Sequence, residues 1–410
     1  MIIYLFPELL FLRYNGGMRI GINASFLRKP DTGIGQVTVN FLKHLSKIEP
    51  KYEIILYLEE EADFKVPANF KKRVFLPPWK RDDLIRKIWW EKYLLPKKAA
   101  ADGCDAFFSL YQCPTVFGKN VRHLMLVHDI IPKIFPEYLD NWRKKKYWNL
   151  AEDAIRQADK IVCVSKRTEK DLIEHLGISG ERIAVAYIDA DEIYKKNVSP
   201  EKSGKVMKKY KLKSGYIYNG GGLEKRKNAE GMLRAYCHLL EMNKKNPLVS
   251  TSTLSPSTAI DHFPPLVISG KLMPQMAPLI TDVGKLAKEL NLGPYVKILD
   301  FVPQADLPAL YRNCSMFVYP SFYEGFGLPV LEAMNQGKPV ITSKKSSLPE
   351  VGGDAVLYSD PGDYKDIAMV MKNVMVNGHL RKILSERGKE RAKKFSWDLF
   401  SEKIFNLFQK

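Results

Sequence analysis

The 410-residue sequence predicts an α/β protein with two parallel-sheet halves. Three observations carry this prediction. Short apolar, β-branched runs alternate with helix-period segments in both halves. The length is enough for two domains, each with its own core. Residues 316–342, MFVYPSFYEGFGLPVLEAMNQGKPVIT, form a complete strand, glycine loop, helix and strand. In this stretch Met316 to Pro320 has strand character and Ser321 to Gly327 is a polar turn. Pro329 to Gln336 is the predicted helix, because proline suits a first turn whose N–H would be unpaired. Gly337 adopts the left-handed stop without strain, and Pro339 to Thr342 returns to strand. Such a βαβ unit places its loop at the carboxyl end of the sheet, where α/β proteins bind ligands.

The first half opens after an apolar stretch, residues 1–17, interrupted by Pro7, Glu8 and Arg13. That stretch is too short to span a bilayer and lacks the basic start and small-residue cleavage site of a signal peptide. It is read as an extra arm, with Met18 as the natural start. Arg19 to Ala24 is predicted as a first strand, Asp31 to Gly35 as a glycine loop and Gln36 to Ile48 as a helix. Glu53 to Leu58 is a second strand. Asp82 to Ala101 reads as an amphipathic helix broken at Pro96, with Ile85, Ile88, Trp89 and Tyr93 on one side. Arg86, Lys87 and Lys92 flank them, which is the composition of an interfacial helix. Trp89 is expected to pack inward, with the lysines facing a membrane. Asp105 to Ser109 and His123 to Val127 are strands, and His128 at the end of the second would face the ligand crevice. Trp142 to Ala158 is a helix, Lys160 to Val164 a strand, and Ser165 caps the helix Lys166 to Leu176. Arg182 to Ala186 is the last strand of this half.

Residues 199–214, polar and lysine-rich, are read as the linker between a first domain at 18–198 and a second at 215–390. The second opens with the strand Tyr216 to Asn219, then Gly220 to Gly222 and the segment LEKRKN ending at Asn228. Glycines followed by paired cations at a helix start make a phosphate cradle. Residues 244–265 are a polar connection without assigned function. Leu266 to Ser269, Val296 to Leu299 and the opening βαβ unit supply strands, with helices at Thr281 to Leu290 and Asp306 to Cys314. Helices Tyr364 to Asn377 and His379 to Phe395 follow, and 391–410 carries a last helix, Leu399 to Gln409. No repeat of 20 to 50 residues is visible.

Composition narrows the function. Five scattered cysteines without C-x-x-C spacing read as reduced thiols in a cytosolic protein. The net charge is +18, and residues 65–98 hold eleven Lys/Arg against three Asp/Glu, with a further run at Arg143 to Lys146. A basic face suits an anionic membrane surface or a polyphosphate, and equally a solvated face. No RRM, helix-turn-helix or zinc-finger pattern supports nucleic acid as a partner. In the 316–342 unit, Glu324 and Glu332 can each grip a vicinal diol, Gly325 and Gly327 let backbone amides approach, and the helix start favours an anion. A nucleoside diphosphate sugar has sugar hydroxyls, pyrophosphate and a ribose diol. The spacing alone fits equally well a buried turn whose glutamates cap or are solvated.

The words EGFGLPVLE and AMNQGKPVI resemble the E-x7-E signature of the retaining GT4 glycosyltransferases, and the match continues through SSLPEV and GGDA. The pattern is most similar to the branch containing bacterial mannosyltransferases of O-antigen assembly. The resemblance implies a GT-B fold: two Rossmann-like domains facing across a cleft, the C-terminal helix crossing back to the first. It implies transfer, with retention of configuration, of a hexose to a saccharide or lipid-linked saccharide acceptor in cell-surface polysaccharide synthesis. GDP-mannose is the first choice of donor and UDP-glucose or another hexose donor the alternative. No cofactor and no metal is implied. Glu324 would orient the sugar, with Gly325, Phe326, Gly327 and Leu328 beside it, and Glu332 the ribose diol. Arg226 and Lys227 would hold the diphosphate next to Gly222, although Leu223 stands where many members carry an additional Arg. Gly33 and Gly35 would border the pyrophosphate, Val302 the base, and His128 the transferred sugar. Asp189-Ala190-Asp191 matches an interdomain turn in the family and is read as a hinge, not a D-x-D metal site. The implied location is cytoplasmic, peripheral at the inner face of the plasma membrane. A non-catalytic nucleotide-sugar-binding scaffold of the same fold is the alternative of another class.

Overall fold

A computed structural model describes residues 17–45, 52–65, 70–76, 83–245 and 263–409. Residues 1–16 of the 1–17 arm and most of the 244–265 connection lie outside the described residues. The chain divides into two compact units. The first takes in the chain to Cys163, Glu169–Ala186 and the C-terminal helix; the second comprises Val164–Thr168 and Tyr187–Ser396.

In the first unit seven strands form one sheet. They are β1 (Arg19–Asn23), β2 (Glu53–Leu58), β3 (Phe70–Val74), β4 (Ala106–Ser109), β5 (Arg122–Val127), β6 (Lys160–Cys163) and β7 (Ile183–Val185). The order is β3-β2-β1-β4-β5-β6-β7, and every pairing is parallel. A parallel sheet needs helices on both faces, so its central strands are apolar throughout; β4 and nearly all of β5 are buried. The edge strand β3 escapes sequence reading, because FKKRV carries three cations and only Phe70 is buried. The helix Trp397–Gln409 belongs to this unit. Phe400 meets Phe41 edge-on at 5.6 Å and Phe408 meets Phe108 at 6.2 Å.

The helix expected to begin at Gln36 starts at Gly33, so Gly33 and Gly35 lie in its first turn and not in a loop. Thr32 accepts the Gly35 N–H at 3.1 Å on its side-chain oxygen. A Cβ on Gly35 would fall 1.9 Å from the Lys29 carbonyl oxygen, so close backbone approach demands glycine there. The 83–101 helix is not broken at Pro96. Asp83–Trp89 and Leu95–Ala101 are joined by a π-helical turn, Trp90–Leu94, and Pro96 sits in the first turn of the last segment. Trp90 is wholly buried, its indole donating to the Phe75 carbonyl at 2.9 Å, while Trp89 is 40% exposed, against the inward packing expected of it.

The second unit has six parallel strands: β8 (Ile217–Asn219), β9 (Leu266–Ser269), β10 (Val296–Leu299), β11 (Met316–Tyr319), β12 (Val340–Ser343) and β13 (Leu357–Ser359). Their order is β10-β9-β8-β11-β12-β13. β8 and β11 are therefore neighbours at the point where strand order reverses, which places the loops after both in one crevice. The core packs the 229–245 and 364–376 helices against one sheet face through Met232, Leu233, Tyr236, Ile367 and Met371. Residues 199–214, expected as a polar linker, carry the helix Pro200–Lys209, N-capped by Ser199 accepting from the Lys202 N–H at 3.2 Å.

Candidate functional site

The loop after β8 turns through Gly221 and Gly222, both with left-handed φ (102° and 114°). A Cβ on Gly222 would lie 2.5 Å from a Glu224 carboxylate oxygen and 3.0 Å from the Lys227 ammonium, so the glycine leaves room for the two charges to meet. Lys225–Lys227 form one 3-10 turn that ends at Asn228 in the left-handed conformation. The Asn228 amide donates to the carbonyls of Pro320 and Pro361 at 3.1 and 2.7 Å. That side chain ties the cation turn to the loop after β11.

Glu324 sits in this second loop. One of its oxygens pairs with Arg226 at 2.9 Å, and the other accepts from the Tyr319 and Ser321 hydroxyls at 2.6 and 3.0 Å. The same Arg226 nitrogen donates to the Tyr323 carbonyl at 2.8 Å. Burial pushes the Glu324 carboxyl up, but the Arg226 and Lys227 charges outweigh it and hold the group below its usual value. Lys227 donates to the Gly221 carbonyl and pairs with Glu224 at 3.3 Å. From behind, the Ser347 hydroxyl donates to the Glu324 and Phe326 carbonyls at 2.8 and 2.7 Å. Gly327, with φ of 112°, caps the helix Leu328–Asn335. Phe326 is buried, its ring 5.6 Å from Phe395.

Glu332 lies in the second turn of that helix. It is buried and accepts the Tyr311 hydroxyl at 2.8 Å. Burial raises its pKa to about 7, against the Tyr311 hydrogen bond and the Lys227 charge, which pull it down. Lys227 thus acts on both glutamates. Val302 is buried after β10, beside a half-exposed Phe301. Leu223, where the additional arginine was absent, is core and brings no charge.

The second unit therefore brings together Gly222, Arg226, Lys227, Glu324 and Glu332. His128, Gly33 and Gly35 belong to the first unit. His128 follows β5 and is buried. Its Nε2 lies 2.9 Å from the Leu110 carbonyl, which makes that nitrogen the donor, and its amide binds the Gln112 side chain at 3.3 Å. Burial lowers its pKa to about 4, so the ring is neutral at physiological pH. Asp189 of the D-x-D triplet pairs with Lys195 at 2.5 Å, and Asp191 caps a short helix through the Ile193 N–H. Among the described residues, one acid–histidine group (Asp171, Glu174, His175) has its ligand atoms within 4.8 Å of one another, all on one helix of the first unit.

Sequence reasoning missed Glu224, Tyr319, Ser321 and Tyr311. The first three flank motif residues and were within reach. Tyr311 carries no signal, because its helix meets Glu332 only through the fold.

Residues 32–188 match the family model described as Glycosyltransferase Family 4, and residues 262–391 the one described as Glycosyl transferases group 1. The chain is a glycosyltransferase. Across 96% of its length it is 29% identical to the O-antigen chain mannosyltransferase B of Escherichia coli, all of which it covers. It is 26% identical to the O-antigen chain mannosyltransferase RfbU of Salmonella typhimurium, over 86% of this chain and 90% of that protein. Among solved structures, Anabaena HepE in complex with UDP and glucose superposes with a TM-score of 0.69 at 17% identity, over 96% of this chain and 99% of that one. That likeness shows the fold, which is GT-B. Among the described residues of the glycosyltransferase, no helix is long and apolar enough to cross a membrane.

Proposed function

We propose that this glycosyltransferase moves mannose from GDP-mannose to a saccharide or lipid-linked saccharide acceptor in O-antigen assembly, with retention of configuration. Two relatives covered over nearly their whole length are named O-antigen mannosyltransferases, which supports the sugar and the pathway. The observation that carries the chemistry is the contact of Arg226 with Glu324 beside Lys227 and the left-handed glycines.

In this reading Arg226 and Lys227 take the donor diphosphate, and their charge stabilises the leaving group by fixed electrostatics without a metal ion. Glu324, ionised at neutral pH, accepts from the hexose hydroxyls, with Gly325, Gly327 and the start of the 328–335 helix alongside. Glu332 accepts from the ribose diol, and Val302 borders the base. His128, as a neutral imidazole, positions the sugar and presents no cation to the reacting carbon. No second carboxylate is assigned as a nucleophile, so the leaving phosphate oxygen takes the acceptor proton.

Ile85, Trp89 and Tyr93 are exposed along one helix, with Lys92 over the Tyr93 ring, and Trp142 is exposed beside Arg143. Aromatic residues next to cations suit peripheral contact with the anionic inner face of the plasma membrane. The test of donor identity is thermal stabilisation across a nucleotide-sugar panel, followed by transfer from the best binder. Stabilisation and transfer by GDP-mannose are expected. Stabilisation by UDP-glucose alone would replace the donor, and turnover with none would sink the reading.

A further inference from the structure

The first unit contains a cavity of about 310 Å³ that the donor-site reading does not use. Its wall is largely hydrocarbon and aromatic: Phe26, Ile34, Leu84, Pro132, Leu139 and Trp148. Much of its polar lining is already committed. Gln112 spends its amide on the Asp129 carbonyl and its oxygen on the His128 N–H. The hydroxyls of Tyr111 and Tyr147 both donate to Glu91, a carboxylate with no exposure at all, the second at 2.9 Å. The Lys87 ammonium is enclosed by the Phe26, Tyr111 and Tyr147 rings at 4.8, 4.9 and 5.1 Å and faces Glu91 at 3.7 Å. The π-helical turn Trp90–Leu94 carries Glu91 into this position, and such turns recur at functional sites.

A free sugar is therefore a poor fit. Its hydroxyls would leave water for a wall most of whose donors and acceptors are taken, at a cost of about 1–3 kcal/mol for each group left unpaired. A hydrocarbon chain loses nothing there and gains about 0.8 kcal/mol per buried methylene. The rim differs from the floor. Lys144 lines it, paired at the surface with Asp140 at 2.8 Å, and Arg143, Lys145 and Lys146 adjoin it in the chain. A partly exposed cation in the lining of an apolar cavity suits an anionic head on an apolar chain. The same helices present exposed Ile85, Trp89 and Trp142 to solvent. Gln112 spans from the cavity wall to the His128 backbone, so an occupant lies beside the residue assigned to the transferred sugar.

We propose that this cavity seats the hydrocarbon chain of a lipid-linked acceptor, with its phosphate on the Lys144 rim, so that the glycosyltransferase grips its acceptor by the lipid carrier as well as by the sugar. The inference rests on a lipid-linked acceptor being the substrate. It separates from that reading because binding of the chain can be measured without transfer.

The test titrates farnesyl phosphate, farnesol, inorganic phosphate and a short-chain phosphatidylglycerol into the full-length enzyme below their micellar concentrations, by calorimetry. Farnesyl phosphate is expected to bind one to one and more tightly than farnesol, with inorganic phosphate silent. Leu84→Trp, which fills the cavity, should weaken it by about tenfold or more, the equivalent of burying about two methylenes fewer. Lys144→Glu should abolish the preference for the phosphate while farnesol still binds, which guards against a Leu84→Trp chain that misfolds. Donor stabilisation should be unchanged in both variants. Farnesyl phosphate binding no better than inorganic phosphate, or equally well to Leu84→Trp, overturns the proposal. So does phosphatidylglycerol that competes at equal affinity, since the cavity would then hold bulk lipid. Chain binding in an enzyme that transfers no sugar would leave the cavity assignment standing and remove the functional reading.

Discussion

Replacing Glu332 by glutamine separates what burial costs this residue from what the carboxylate does. Glu332 accepts the Tyr311 hydroxyl at 2.8 Å in a site where burial lifts its pKa from an ordinary 4.5 to about 7. At ~1.4 kcal/mol per tenfold, that gap is roughly 3 kcal/mol of proton-linked stability. The folded state holds the proton more tightly than the unfolded chain. The contribution is therefore fully present below pH 4.5, falls as pH rises through 7, and is spent above it. Glutamine mimics the protonated group at every pH. Urea melts of the wild type should accordingly lose about 2–3 kcal/mol between pH 5 and pH 8 that Glu332→Gln keeps, with other titrating groups cancelling in the difference. The function predicts the opposite preference. A ribose diol donates to a carboxylate, so donor affinity should improve through pH 7 in the wild type and stay weak and flat in the variant. Tyr311→Phe removes a hydrogen bond that favours ionisation and should move both transitions to higher pH. Parallel stability curves for wild type and Glu332→Gln would refute the assignment of a proton to this buried acid.

Lys227→Ala and Glu324→Ala should each lower kcat by on the order of 10²–10³ while far-UV circular dichroism is kept; wild-type turnover in either would remove the proposed role. Gly222→Ala forces a side chain into a φ of 114° and against Glu224 and Lys227. It should cost about 1–2 kcal/mol in stability and raise the donor KM, and an unchanged KM would mean that the loop does not approach the diphosphate. Flotation with anionic vesicles should retain the wild type at low salt, lose it as salt rises, and weaken with Trp89→Ser; binding indifferent to lipid charge would leave the exposed aromatics without a membrane.

The central strands and the 316–342 unit were legible because burial writes them into the sequence. A parallel strand covered on both faces must be apolar, and β11 and β12 read as such. The strand β3 did not, since an edge strand with Lys71, Lys72 and Arg73 has no apolar period to detect. Trp89 faces solvent for a different reason. The period groups Ile85, Trp89 and Tyr93 on one side, and all three are exposed; spacing puts residues on a common face without saying which face is covered. The charged members of the site, Arg226, Lys227, Glu324 and Glu332, were visible as motif residues. Their partners Tyr319 and Ser321 were hidden in plain strand and turn chemistry, and Tyr311 lies 21 residues from Glu332 in sequence.

The pairing of these charges bears on why the site combines cations with acids at all. Arg226 and Lys227 with no counter-charge would repel one another and gain little from the fold. Here each is matched, Arg226 by Glu324 at 2.9 Å and Lys227 by Glu224 at 3.3 Å, so the cluster is close to neutral. A donor diphosphate would draw the cations toward itself and loosen their hold on the carboxylates. Glu324 would then exchange Arg226 for sugar hydroxyls, keeping the Tyr319 and Ser321 hydrogen bonds that fix its position. Under that reading the arginine is both the diphosphate clamp and the group that keeps the sugar-binding acid ionised in a buried place, which a neutral residue at 226 cannot do. Selectivity for a nucleotide sugar over a free nucleotide or a free sugar follows, because only a ligand carrying both the anion and the hydroxyls satisfies the two halves of the pair at once.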